Sequence, residues 1–188
     1  MSTRDLAGLA LSLVVAGSAA TVMAGCAATT VVETPNLGRP VTAAEIAGWD
    51  ISIPPDGAGL PAGRGTAAQG ARVYEARCQS CHGAKGAGQP NDRLVGGHGT
   101  LASAAPVRTI GSYWPYATTV FDYVRRAMPY AEPQSLTSDE VYALTAYLLH
   151  QNGIIAEGAE MNAQTLPRVT MPNRDNFIVV YPARPAAR

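Results

Sequence analysis

Cys78-Gln79-Ser80-Cys81-His82 is the stretch that decides the fold. Two thiols with two residues between them and an imidazole directly after make the C-x-x-C-H haem-attachment pattern. Near the end of a helix, this spacing lets both cysteines form thioethers with the two vinyl groups on one side of haem. His82 then lies beneath the iron as the proximal ligand. The motif occurs once, so the expectation is one covalently bound haem c. Other uses of a thiol pair lack their usual company. A structural zinc takes four ligands, usually from a second Cys/His pair, and the remaining histidines, His98 and His150, stand singly. A thioredoxin-like redox pair sits beside a strand–helix–strand pattern, and the flanks here are not strand-like.

Working outward, Thr66 to Arg77 reads as a helix with Gly70 and Tyr74 one turn apart on the same face. A glycine-rich loop, Gly83 to Gly88, follows His82. The iron needs a second axial group or an open site, and the downstream candidates are Met128, Met161, Met171, His98 and His150. Met128 fits best. It follows a helix-like segment, Pro115 to Ala127, with proline at the first helical position, and it precedes a helix starting near Thr137. Thioether ligation raises the reduction potential and leaves no vacant position for oxygen, which suits electron transfer. A lone methionine also serves core packing. Met171-Pro172 repeats the Met128-Pro129 dipeptide, but beyond the last helix. His98 reads as a loop residue and His150 as a helix-end residue favoured by the dipole. Thr137-Ser138-Asp139-Glu140 is a capping box opening Ser138 to Gln151, and Asn152-Gly153 closes it. Val141, Leu144 and Leu148 give that helix an apolar face.

The chain has 188 residues and a formal net charge of zero. With no basic surplus to neutralise phosphates, a nucleic-acid role is disfavoured. Charged residues make up 15%, below the roughly 25% of ordinary soluble domains. The 19 glycines and 14 prolines predict long connections. An odd count of three cysteines argues against a disulfide framework and leaves Cys26 a separate job. Leu6 to Ala24 is apolar or small, and Met23-Ala24-Gly25-Cys26 follows the pattern of a cleaved export signal. A cysteine directly after Ala-Gly resembles the lipobox of bacterial lipoproteins, in which Cys26 would be acylated and become the new N-terminus. Cleavage by an ordinary signal peptidase, leaving a soluble periplasmic protein, and retention as an uncleaved anchor stay open. The expected organisation is therefore 1–25 signal peptide of lipoprotein type, 26–65 linker or N-terminal arm, 66–153 an all-α haem domain, and 154–188 a C-terminal extension. Within the arm, Thr42-Ala43-Ala44-Glu45 reads as a capping box and Pro54-Pro55-Asp56-Gly57 as a turn. In the extension, Pro167, Pro172, Pro182 and Pro185 with the apolar run Phe177 to Tyr181 suggest an extended arm that wraps the domain or binds a partner.

The attachment motif, Met128-Pro129 and the terminal helix together resemble the class I cytochrome c family. That resemblance implies an all-α class I cytochrome c fold, here with an extended N-terminal arm and C-terminal tail. It also implies Met128 approaching the haem face opposite His82, and Pro90 as the carbonyl that accepts the other N–H of His82, with an ordinary turn proline as the other reading of Pro90. It further implies a crossing of the first and last helices, with Gly70 and Tyr74 against Leu144 and Tyr147. A closer likeness lies in Pro90 to Gly97, in Thr109-Ile110-Gly111-Ser112-Tyr113-Trp114-Pro115-Tyr116-Ala117, in Phe121 to Pro129 and in Met171 to Asp175. These segments resemble the cytochrome c subunits of sulfur-oxidising dehydrogenases, both sulfane and sulfite dehydrogenases. Some members of that group carry two haems, whereas this chain has one motif. The resemblance implies a molybdenum-containing catalytic subunit as partner, with the molybdenum on that other chain. The cytochrome would accept its electrons and pass them to a downstream cytochrome or oxidase of the respiratory chain, without catalysis of its own.

Within this reading Tyr113, Trp114, Tyr116 and Tyr123 are expected around the haem, or as plain core packing. Arg108, Arg125 and Arg126 are expected to meet haem propionates, to steer a partner, or to be solvated helix charges. Three alternatives differ in class. One is a general periplasmic electron-transfer cytochrome of another respiratory complex. Another is a haem enzyme or sensor whose sixth ligand leaves readily. The last is a structural partner tethered through Cys26, whose haem is incidental.

Overall fold

A computed structural model describes residues 37–178 and 180. The export signal, Cys26, Pro182 and Pro185 lie outside the described residues. Contacts group the chain into two compact units, Met1–Thr42 and Ala43–Arg188. Of the first, residues 37–42 are described and all are exposed. The second carries every element below.

Five helices are seen among the described residues: α1 (Ala43–Trp49), α2 (Ala67–Arg77), α3 (Gln79–His82), α4 (Ala117–Ala127) and α5 (Ser138–Gln151). None is long and apolar enough to cross a membrane. The expectation of a purely helical domain needs one correction. Strand β1 (Arg64–Thr66) pairs antiparallel with β2 (Glu160–Asn162), Gly65 standing opposite Met161. Three-residue strands carry too little alternation to show a period of two, and this pairing joins segments far apart in sequence.

Both long helices that meet at the core start as their sequences dictate. Thr66 and Gln69 form a reciprocal capping box on α2, as Thr137 and Glu140 do on α5. Gly153, at φ +67°, ends α5 in the left-handed conformation that glycine adopts without strain. Helix α4 begins at Ala117, with Tyr116 as its N-cap, so Pro115 precedes the helix rather than opening it. Residues Val141 to Leu149 of α5 are all buried, which makes α5 a central helix rather than one with a single apolar face. Phe121 packs on Tyr142 at 4.5 Å between ring centroids, and Tyr74 on Tyr147 at 5.0 Å.

The crossing of α2 and α5 is a contact of backbones. A Cβ added at Gly70 would collide with the carbonyl of Ala143 and with Tyr147 Cβ, and one at Gly65 with the backbone of Ala143. Ala143, not Leu144, is thus the residue on which Gly70 rests, and Leu144 turns toward the interior cavity.

The segment before β1 is strapped along α4 and α5. Ile53 N–H donates to Asp122 Oδ1 (2.8 Å), Thr118 Oγ1 donates to the Pro55 carbonyl (3.0 Å), and Tyr142 OH donates to the Pro61 carbonyl (2.9 Å). Asp122 is buried and also receives the guanidinium fork of Arg126. After α5, Met161, Leu166 and Met171 enter the same core with at most 4% exposure.

Replacing Gly70 by valine tests this crossing. Overpacking a tight contact costs about 1–3 kcal/mol, and rigid backbone on the far side puts this site at or above the upper end. A clear fall in the denaturant midpoint of the haem-loaded protein is expected; an unchanged midpoint would show that the helices do not meet here.

Candidate functional site

Cys78 is the C-cap of α2, its N–H bonded to the Tyr74 carbonyl (2.9 Å), and it opens α3. The next turn is short: Cys81 N–H and His82 N–H both donate to the Cys78 carbonyl, at 3.1 and 2.9 Å. Those bonds hold the two sulfurs and the imidazole on one wall of a cavity of about 550 Å³, within the range of small-molecule and cofactor sites. Burial pushes the half-buried Cys78 thiol up to about 11, against the opposing pull of the Arg77 guanidinium. Cys81 is exposed.

The loop after His82 folds back on the motif. Gly88 N–H donates to the His82 carbonyl and Asn91 N–H to the Cys81 carbonyl, both at 2.8 Å. The loop brings the Asp92 carbonyl to 2.8 Å from His82 Nδ1. With that carbonyl as acceptor, Nδ1 carries the proton and the lone pair is left on Nε2 for a metal. The carbonyl expected in this role was that of Pro90. Pro90 instead occupies a turn closed by Gln89 N–H on the Asn91 carbonyl, and the chain returns to the ring two residues later.

Met128 follows α4, its N–H bonded to the Val124 carbonyl at 3.1 Å, and lines the same cavity as Cys78, Cys81 and His82. The competing candidates lie elsewhere. Met161 and Met171 are packed in the core, His98 lines a separate cavity of about 700 Å³, and His150 Nδ1 is 3.4 Å from the Ile155 carbonyl. Ile110, Val120, Leu144 and Leu148 give the cavity apolar walls. Of the four aromatic residues expected there, Trp114 and Tyr123 line it and stack edge to face on each other. Tyr113 faces the other cavity and Phe177, and Tyr116 lies under Arg174. The expected cations are also spent elsewhere: Arg108 lies over Tyr113, Arg125 donates to the Ile51 carbonyl, and Arg126 grips Asp122. The arginine that lines the cavity is Arg77, next to the motif and missed on sequence because a last-turn arginine ordinarily suits the helix dipole. Asn152 was also missed. It reads as a helix stop, yet its side chain accepts from Gly96 N–H and donates to the Leu94 and Leu148 carbonyls, tying the Leu94–Gly96 segment to the end of α5.

Thiols and imidazole on one side and a thioether in the same apolar cavity are the donor set that haem c uses. Residues 65–148 match the family model described as cytochrome C oxidase, cbb3-type, subunit III. The fold is similar to a chain in the crystal structure of the sulfane dehydrogenase SoxCD from Paracoccus pantotrophus. The two share 41% sequence identity over 77% of this chain and 72% of that one, with a TM-score of 0.73. The chain belongs to the cytochrome c family. No curated protein matches the cytochrome's sequence. Its role is electron transfer, and the family's cofactor is haem c.

Tyr74 gives the cytochrome a pH dependence of its own. Its hydroxyl donates to the Gly83 carbonyl (2.9 Å) beneath the loop, and burial pushes the phenol up to about 12. Burial raises Tyr142 and Tyr147 in the same direction. A phenol raised in the folded state is deprotonated first in the unfolded chain. Its contribution to stability is therefore whole below about pH 10 and is lost as the pH rises toward 12. Denaturant unfolding at stepped pH should show a shallower alkaline fall for Tyr74→Phe than for the parent; parallel curves would contradict this.

Proposed function

We propose that one haem is bonded through Cys78 and Cys81, with His82 and Met128 as its axial ligands. We further propose that the cytochrome accepts electrons from a molybdenum-containing dehydrogenase acting on sulfite or sulfane sulfur and delivers them to a downstream cytochrome or oxidase. The observation that carries the site is the shared cavity: among the described residues, Met128 alone of the downstream methionines and histidines lines the wall space that Cys78, Cys81 and His82 also line. The SoxCD likeness at 41% identity supports the sulfur-compound partner, and the single attachment motif supports one haem.

Each residue then has a physical task. Asp92 holds His82 in the tautomer that offers Nε2. Ile110, Val120, Leu144 and Leu148 exclude water from the cavity. The exposed side of the site, at Cys81, Tyr123 and Tyr130, gives partners access. When bound, haem supplies the one-electron ferric/ferrous couple, and a thioether ligand holds its potential high. Export to the periplasm, with attachment to a membrane through acylated Cys26, completes the reading. In it, residues 66–153 are the cytochrome domain and 26–65 and 154–188 its extensions, serving an oxidoreductase complex rather than catalysing a reaction alone.

Three measurements test this. Denatured mature protein should keep its pigment through acidic acetone, and ferrous Met128→Ala should bind carbon monoxide rapidly where the parent does not. Sulfite or thiosulfate should reduce the haem only when a molybdenum-containing fraction is supplied. Extractable pigment would remove the covalent site, and reduction unaffected by that fraction would remove the partner.

A further inference from the structure

We infer that Arg77 is a positioning residue for Met128, a clasp that fastens the segment following Met128 to the end of α2 beside the cysteine pair. The inference rests on the reading of Met128 as an axial ligand. Arg77 is the last residue of α2 and directly precedes Cys78. Its Nη2 lies 2.6 Å from Glu132 Oε2 and 2.9 Å from Ser135 Oγ, across 55 and 58 positions of sequence. The segment it holds, residues 129–136, joins α4 to α5 without helix or strand of its own.

That segment has few other restraints. Met128 N–H fixes one end on α4, and the capping box of Thr137 fixes the other on α5. Between them, Glu132 N–H donates to the Pro129 carbonyl (2.9 Å) and Ser135 N–H to the Glu132 carbonyl (3.3 Å), both within the segment. Among the described residues, the only hydrogen bonds that reach residues 129–136 from another element come from Arg77. Met128, Pro129 and Leu136 line the cavity together with Arg77 and Cys78, so the clasp closes one side of the space that Met128 shares. Both bonds leave one nitrogen, Nη2, whose two N–H groups reach the carboxylate and the hydroxyl together.

Both partners are partly exposed, at 38% and 62% of their side chains, so water and salt weaken the pair. The clasp therefore biases the position of Met128 and does not decide it. Loss of one partner should increase the population with Met128 withdrawn by about two- to fivefold, the scale of an exposed ion pair.

The experiment compares the haem-loaded parent with Arg77→Gln, Glu132→Gln, their double variant and Arg77→Lys. The ferric parent is examined first for the weak red charge-transfer absorption of methionine-ligated haem; its absence overturns the ligand reading and the clasp together. With the absorption present, each single variant should bind carbon monoxide in the ferrous form about two- to fivefold faster. The double variant should be no faster than either single one, and Arg77→Lys should restore part of the parent's rate. Raising salt should speed the parent and leave Glu132→Gln unmoved. Unchanged carbon monoxide rates overturn the clasp while leaving Met128 as ligand, as does a lowered unfolding midpoint without a change in those rates. Glu132→Gln lies away from the attachment motif, so it decides the matter even if substitution of Arg77 impairs haem attachment.

Discussion

The structure depends on two glycines lying against one alanine. Gly65 and Gly70 bring the backbones of β1 and α2 onto Ala143, closer than any side chain would permit. That contact fixes the crossing of α2 and α5. Cys78 and His82 follow within one short turn of the end of α2, so it also fixes where the attachment motif stands relative to Leu144 and Leu148 on α5. Tyr74 and Tyr147 flank the crossing, and the Tyr74 hydroxyl carries the restraint onward to the loop that returns to His82.

Local chemistry was legible where a residue acts on its neighbours. The capping box of α5 and the Asn152-Gly153 stop depend on short-range geometry, and they stand in the structure as the residue pattern implies; the capping box of Thr66 and Gln69 on α2 was open to the same reading and was not drawn from it. The crossing was legible in part: Gly70 and Tyr147 were the right residues, whereas Leu144 stood in for Ala143, because helical spacing gives a face but not which of two adjacent residues touches. Pro115 was misplaced by two positions because a helix boundary is decided by where the backbone first turns, and Tyr116 is still extended. The acceptor for His82 was hidden for another reason. Any residue supplies a carbonyl, so nothing in Asp92 itself marks it.

Charges were the least legible. Arg108, Arg125 and Arg126 each find a partner remote from the cavity, an aromatic ring, a backbone carbonyl and a buried carboxylate. A long side chain can reach any of these, and sequence does not record which lies nearest. Met161 and Met171, chemically able to bind iron, are instead filler between α5, Leu166 and the rest of the core. A flexible apolar side chain suits that use.

The pairing of β1 with β2 has a consequence for how the molecule is made. One strand stands directly before α2, and its mate is supplied only after α5 has been synthesised. Closing so wide a loop waits on the arrival of the C-terminal residues, and Met161 and Leu166 then seal the interior. The two flanks of the helical core thus depend on each other: a chain ending before Glu160 would lose the mate of β1 together with the buried side chains of Met161, Leu166 and Met171.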